Sequence, residues 1–246
     1  MSADETPPSG GRRTHVLPLW LETVLLLVVA VGLAVLIKSF FAQAFYVPSR
    51  SMEPGLVKND RILVEKPSYW FGGTPQRGDV VVFKDPGGWL SGVEDAGPSN
   101  PIGKAMVKIG LYPAGGHLVK RVIGVAGDTI HCCDQQGRLL VNGHPLDESA
   151  YLAHGPRCAG PEIDQCGRDW TAGPVPPGHL FVMGDNRGDS ADSAYHLCHP
   201  RAPYCGRGSP FVRVSDVVGK VAVLMWPSNR FHVLHRPADF AGVPAS

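Results

Sequence analysis

The chain has 246 residues, enough for one large domain or two small ones with a sizeable core, and a formal net charge of +1. A charge so balanced leaves no basic footprint for nucleic acid, and no nucleic-acid partner is expected. The 30 Gly and 23 Pro are spread along the chain, which suits a loop-rich β protein better than a helical one.

Residues 1–16 form a polar arm that ends with Arg12 and Arg13 close to an apolar run. That run, "LPLWLETVLLLVVAVGLAVLI" (17–37), carries a single charge, Glu22, near its N-terminal end. As a helix it measures about 31 Å, roughly one hydrocarbon core. Trp20 on one side and Phe40, Phe41, Phe45 and Tyr46 on the other read as interfacial aromatics. The sequence therefore predicts one transmembrane helix over 17–38. Arg12 and Arg13 ahead of it place the arm on the cytoplasmic side, and the rest of the chain outside. "AQA" at Ala42–Ala44 also fits a cleavable leader. The apolar segment exceeds a typical leader core, however, and Lys38 and two phenylalanines intervene. The anchor reading is preferred.

Past the apolar run, short β signals dominate: "DRILVEK" (60–66), "GDVVVFKDP" (78–86), "HLVKRVIGVAGDTIHC" (117–132), "GRLLVNGHPL" (137–146), "GHLFVMGDN" (178–186) and "GKVAVLMWP" (219–227). Asn142–Gly143 inside "VNGH" is the strongest hairpin signal. Strands without alternating helices predict antiparallel pairing and a mainly β fold over 39–235. Loop insertions are expected at 86–116 and 154–178, with a tail at 236–246. All six cysteines follow the span, which permits disulfides outside the cytoplasm. Cys158–Cys166 and Cys198–Cys205 are the natural short-loop pairs, although the sequence leaves connectivity open. His196, Cys198, His199 and Cys205 in "HLCHPRAPYC" are too crowded for the two separated ligand pairs of a zinc site, so no metal is expected.

Four blocks carry the chemistry: "PSRSMEPGL" (48–56) just after the span, "RGDVVVFKDP" (77–86), "VKRVIGVAGD" (119–128) and "GDNRGDSADS" (184–193). In this order behind one apolar helix, the chain resembles the bacterial type I signal peptidases (leader peptidases) over roughly residues 17–230. The resemblance implies an antiparallel β-sheet catalytic domain on the extracytoplasmic side of the plasma membrane. It also implies cleavage of signal peptides from exported preproteins after small residues, by a Ser/Lys dyad without cofactor. Ser51 matches the nucleophile and Lys120 the general base. Ser49 matches the hydroxyl that helps bind the oxyanion, with the Ser51 N–H. Ser190 matches the hydroxyl that orients the lysine, and Asp192 a supporting carboxylate. Preproteins, membrane lipid and the secretion translocon are the implied partners.

The residues make sense on their own terms. A serine hydroxyl is a poor nucleophile until a base takes its proton. Lysine is no base at its solution pKa of ~10.4, but burial disfavours the ammonium. Taking that value down to ~8.4 requires about 2.7 kcal/mol of differential solvation. On a strand, Lys120 and Val122 share a face while Arg121 points the other way, so the lysine projects among apolar groups. Taken alone, "VKRVI" reads as an edge strand with solvated charges, and it is the block order that favours the base. Pro48 and Pro54 stiffen the segment that bears Ser51. In "GDNRGDSADS", Asp185, Asn186 and Arg187 are expected to brace a tight turn while Ser190 faces the lysine. Of the histidines, His196, His199, His232 and His235 read as surface residues.

Three features depart from the family pattern. Gly188–Asp189 stand within "GDNRGDS", Ala194 stands where an arginine is common, and Arg50 and Gly55 flank the nucleophile unusually. Ala194 bears on one supporting salt bridge and not on the dyad. These departures keep a second reading open, a catalytically silent, membrane-anchored β protein that binds envelope partners.

Overall fold

The computed structural model describes residues 18–90, 100–101, 116–152, 170–197 and 209–246; of these, the side chains of 36–40 are left aside. The chain divides into two units, residues 1–37 and 38–246. The first holds most of helix α1, Leu19–Phe40, a 22-residue element whose Leu and Val side chains from Leu19 to Val35 are largely exposed. Among the described residues no helix is long and apolar enough to cross a membrane. The expected span at 17–38 extends beyond those residues. The four cysteines of the expected pairs, Cys158, Cys166, Cys198 and Cys205, also fall outside them.

Twelve strands are described in the second unit. In chain order they are β1 (Ala42–Tyr46), β2 (Arg61–Glu65), β3 (Val80–Lys84), β4 (His117–Gly124), β5 (Ile130–Cys132), β6 (Leu139–Val141), β7 (His144–Pro145), β8 (Trp170–Ala172), β9 (His179–Met183), β10 (Val212–Arg213), β11 (Val217–Trp226) and β12 (His232–Val233). They build two antiparallel sheets. The larger runs β1-β2-β11-β3-β4-β9-β10, with β12 on β11, and the smaller runs β7-β6-β5-β8.

β2 alternates as a half-covered strand should, with Ile62 and Val64 buried and Arg61 exposed. By contrast β3 and β4 are buried on both faces, and a near-continuous apolar run is the consequence. Val81, Phe83, Leu118, Val122 and Val182 pack with Trp89 on one side. Val80, Val82 and Val119 face a second cluster with Phe45, Met52 and Ile62. Ile123, Phe181 and Met183 join the small sheet's Ile130, Leu139 and Trp170.

Differences from the sequence reading have local causes. "HLVKRVIGVAGDTIHC" splits into β4 and β5 because Val125–Asp128 turns, with Gly127 at φ +90°. "AQAFY" is a strand, β1, paired to β2 from Ala42↔Glu65 to Tyr46↔Arg61, and Phe45 is core rather than an interfacial aromatic. The expected loop at 154–178 contains β8, which pairs with β5. The expected tail at 236–246 is packed, with Phe240 and Val243 buried. Cys132 and Cys133 are joined to each other. The Asn142–Gly143 turn joins β6 to β7 with both residues at positive φ, +53° and +77°.

Candidate active site

β4 lies between β3 and β9, so its two charges are interior rather than at an exposed edge. Lys120 stands opposite Val81 and Arg121 opposite Val80, which sends them to opposite faces of the sheet. Both are buried. The Lys120 Nζ lies 2.5 Å from the Ser51 Oγ, and both side chains are at least nine-tenths covered. Ser49 Oγ is 3.1 Å from Ser51 Oγ.

The segment that carries the serines is held from several sides. The Asn186 N–H donates to the Ser51 carbonyl at 3.0 Å, and Asn186 Nδ2 to the Arg50 carbonyl at 3.3 Å. Pro54 pairs with Leu152 as an isolated bridge. Arg230 Nη2 donates to the carbonyls of Pro54 and Gly55 and to Asp60.

On the other side, Ser190 donates to Asp192 Oδ2 at 2.6 Å, and the Gly184 N–H donates to the same oxygen at 2.9 Å. Asp192 Oδ1 accepts from the Ala194 N–H at 3.0 Å. Ala194 itself is buried in the core, so the position where an arginine is common holds a small apolar side chain here. Gly184 makes this assembly fit. A Cβ there would overlap both Ser190 Oγ and the Ser51 carbonyl oxygen.

Asp185 and Arg187 are each spent on a buried ion pair. Arg121 Nε and Nη2 grip Asp185 at 2.8 and 2.7 Å. Arg187 grips Glu148 at 3.1 and 2.5 Å, while its Nε donates to the Gly184 carbonyl at 2.9 Å. Burial works against the Arg187 charge, but the Glu148 carboxylate more than offsets it, and the guanidinium's pKa is raised. Tyr151 donates to Glu148 at 2.7 Å, and the Arg121 guanidinium sits 4.2 Å from its ring centroid.

Arg121, Glu148 and Tyr151 were not singled out by the sequence. "VKRVI" did show a charge beside the lysine, but Glu148 in "LDESAYL" gives no sign of burial because its partner is 39 residues away. His196 also differs from its expected surface position. It is partly buried, its ring stacks on Trp89 with centroids 4.6 Å apart, and burial holds its pKa below the usual imidazole value. His232 and His235 are exposed. His199 lies outside the described residues.

Ser49, Ser51 and Lys120 open on a cleft of about 190 Å³, bordered also by Trp89, Leu90 and His117. A hydroxyl against a covered amine, beside a second hydroxyl and an open cleft, is an arrangement able to attack a carbonyl.

The profile of the family described as "Signal peptidase, peptidase S26" matches residues 20–226. Signal peptidase I of Mycobacterium tuberculosis (strain CDC 1551 / Oshkosh) is 40% identical over 227 residues, which cover 87% of this chain and 74% of that one. The probable signal peptidase I of Mycobacterium leprae (strain TN) is 40% identical over 230 residues, covering 87% and 78%. Signal peptidase I of Leptolyngbya laminosa is 34% identical over 213 residues, covering 86% and 82%. Matched by this profile and these relatives over most of its length, the chain belongs to the signal peptidase family, peptidase S26, and is a hydrolase of peptide bonds.

Proposed function

We propose that this peptidase is a membrane-anchored Ser/Lys endopeptidase that removes signal peptides from exported preproteins on the outer side of the cytoplasmic membrane. The observation that carries the reading is the buried 2.5 Å approach of Lys120 Nζ to Ser51 Oγ. Ser51 Oγ attacks the scissile carbonyl and its proton passes to the neutral Lys120 amine. The carbonyl oxygen gains charge and is held by the Ser49 hydroxyl and the Ser51 N–H. Collapse of the tetrahedral intermediate breaks the C–N bond, and Lys120 returns the proton to the departing amine. Lys120 then takes a proton from water, which hydrolyses the acyl-enzyme.

Ser190 and Asp192 order the lysine side of the site, and Asp185, Asn186 and Arg187 brace the turn that carries them. The family resemblance supplies the substrate class: preproteins with small residues at −1 and −3, met at the membrane close to the translocon. An extended peptide in β conformation points both of those side chains the same way. The anchor reading rests on the sequence of 17–37 and on the exposed Leu and Val side chains of α1 between Leu19 and Val35.

Purified full-length enzyme should cleave an A-x-A preprotein, and Ser51→Ala should abolish cleavage while leaving the folded state intact. Absence of turnover in the unaltered enzyme would leave the silent binding protein as the better reading. Protease added to spheroplasts should reach residues beyond 47 and spare the N-terminal arm. An arm cut from outside would overturn the orientation.

A further inference from the structure

We infer that Trp89 is a specificity-determining residue that closes one end of the cleft, and that His196 is the positioning residue that fixes it there. The inference rests on the proposed reaction and adds the part of the chain that limits side-chain size. Trp89 is only 5% exposed, yet it borders the same cleft as Ser51 and Lys120. The side chain is thus nearly enclosed where it meets the cleft.

The turn that delivers Trp89 is built for the purpose. Leaving β3, the chain reverses at Gly87 and Gly88, whose φ values of +118° and +83° few other residues adopt. The Asp85 carboxylate accepts the N–H groups of Gly87, Trp89 and Leu90 at 2.9, 3.1 and 3.3 Å. The ring is then restrained in three ways. Phe83 meets it edge-on at 5.9 Å, its Nε1–H donates to the Ser209 carbonyl at 3.2 Å, and His196 lies flat against its face, 4° from parallel.

His196 joins this wall to the chemistry. Its Nδ1 is 2.8 Å from the Asp192 carbonyl, which can only accept, so Nδ1 carries the hydrogen. The same Asp192 takes the Ser190 hydroxyl at 2.6 Å. One imidazole therefore sets the spacing between the Trp89 wall and the Ser190–Asp192 segment. A wall held from three directions discriminates by size, because it cannot repack around a larger side chain.

The test uses full-length detergent-solubilised enzyme and three otherwise identical preproteins: Ala at −1 and −3, Leu at −1 only, and Leu at −3 only. The unaltered enzyme should cleave the Ala substrate and strongly reject at least one Leu substrate. Trp89→Ala should raise kcat/KM for one Leu substrate relative to the Ala substrate by about 10-fold or more, the discrimination expected from a few methylenes of space. Trp89→Leu should fall between, and it carries the test if Trp89→Ala does not fold. His196→Ala should shift the ratio in the same direction, and His196→Phe, which keeps the stack but lacks the hydrogen bond to Asp192, should shift it less. A parallel fall on all three substrates with unchanged ratios makes Trp89 merely structural and overturns the inference alone. No cleavage by the unaltered enzyme fells the proposed function and this inference with it.

Discussion

At the scale of single residues, the proposed reaction depends on a buried amine. Lys120 is buried against Ser51, and the proposed reaction needs its amine without the proton. Because the base must be unprotonated, the rate of preprotein cleavage should rise with pH along an acid limb. Lys120→Arg should be as inactive as Lys120→Ala, since a guanidinium stays protonated. A tenth of normal activity in Lys120→Arg would show that the base lies elsewhere. Ser49→Ala should slow cleavage by roughly 10²–10³-fold, the effect of one lost oxyanion donor. Gly184→Ala tests the close approach on the other side. Its Cβ must displace Ser190 or the Ser51 carbonyl, so activity should fall far more than the melting temperature does. Equal losses of both would mean that Gly184 serves only packing.

At the scale of elements, one strand organises both halves of the site by alternation. β4 sends Lys120 toward Ser51 on one face and Arg121 to Asp185 on the other, so the strand also anchors the turn that follows β9. Arg121→Leu leaves a buried carboxylate unpaired and should cost about 3–5 kcal/mol in urea unfolding. Arg121→Leu with Asp185→Leu should recover most of that loss, because the pair is costly to bury and costlier to halve. A double variant no more stable than the single one would refute that account.

The same strand shows what the sequence could and could not reveal. Period-two alternation within "VKRVI" put the two charges on opposite faces, because that rule is local. The edge strand that "VKRVI" suggests in isolation does not occur, because its neighbours β3 and β9 are chosen by pairings across the chain. β1 escaped notice because "AQAFY" directly follows a long apolar run that masks its period. Most of the strands and the "NG" hairpin were legible for the opposite reason, since their signals are short-range. Ser51 and Lys120 were legible through motif order. Glu148, Tyr151 and Trp89 were not, since each gains its role only from a distant partner.

At the scale of the whole second unit, residues 38–246, one carboxylate ties the sheets to the chain's end. Asp128, at the turn between β4 and β5, has a fully buried side chain. It accepts Arg77 Nε and Nη2 at 2.7 and 2.5 Å, the Val125 N–H at 2.8 Å and Asn142 Nδ2 at 2.9 Å. Arg77 reaches on to the carbonyls of Val243 and Pro244, and Asn142 to Pro244 as well. Large sheet, small-sheet hairpin and C-terminal segment thus meet at a single acid. Burial alone would raise the Asp128 pKa, but the bonds from Arg77, Val125 and Asn142 outweigh it and hold the value below the usual carboxylate range. A depressed folded value means that the unfolded chain takes up the proton first as pH falls. The stability that Asp128 contributes is therefore fully present above the unfolded value of ~3.9 and is lost as pH drops through the folded one. Asp128→Asn should cost about 3 kcal/mol at pH 7, since Arg77 is left without its counter-charge. It should also flatten the acid limb, so that urea midpoints of variant and parent converge as pH is lowered. Removing residues 237–246 keeps the Arg77–Asp128 pair but takes Phe240 and Val243 out of the core, at about 1.5–3 kcal/mol each, so it should destabilise at least as much as Asp128→Asn at pH 7. Urea midpoints for parent and Asp128→Asn that stay parallel from pH 7 into the acid range would show that Asp128 does not set the acid stability of this domain.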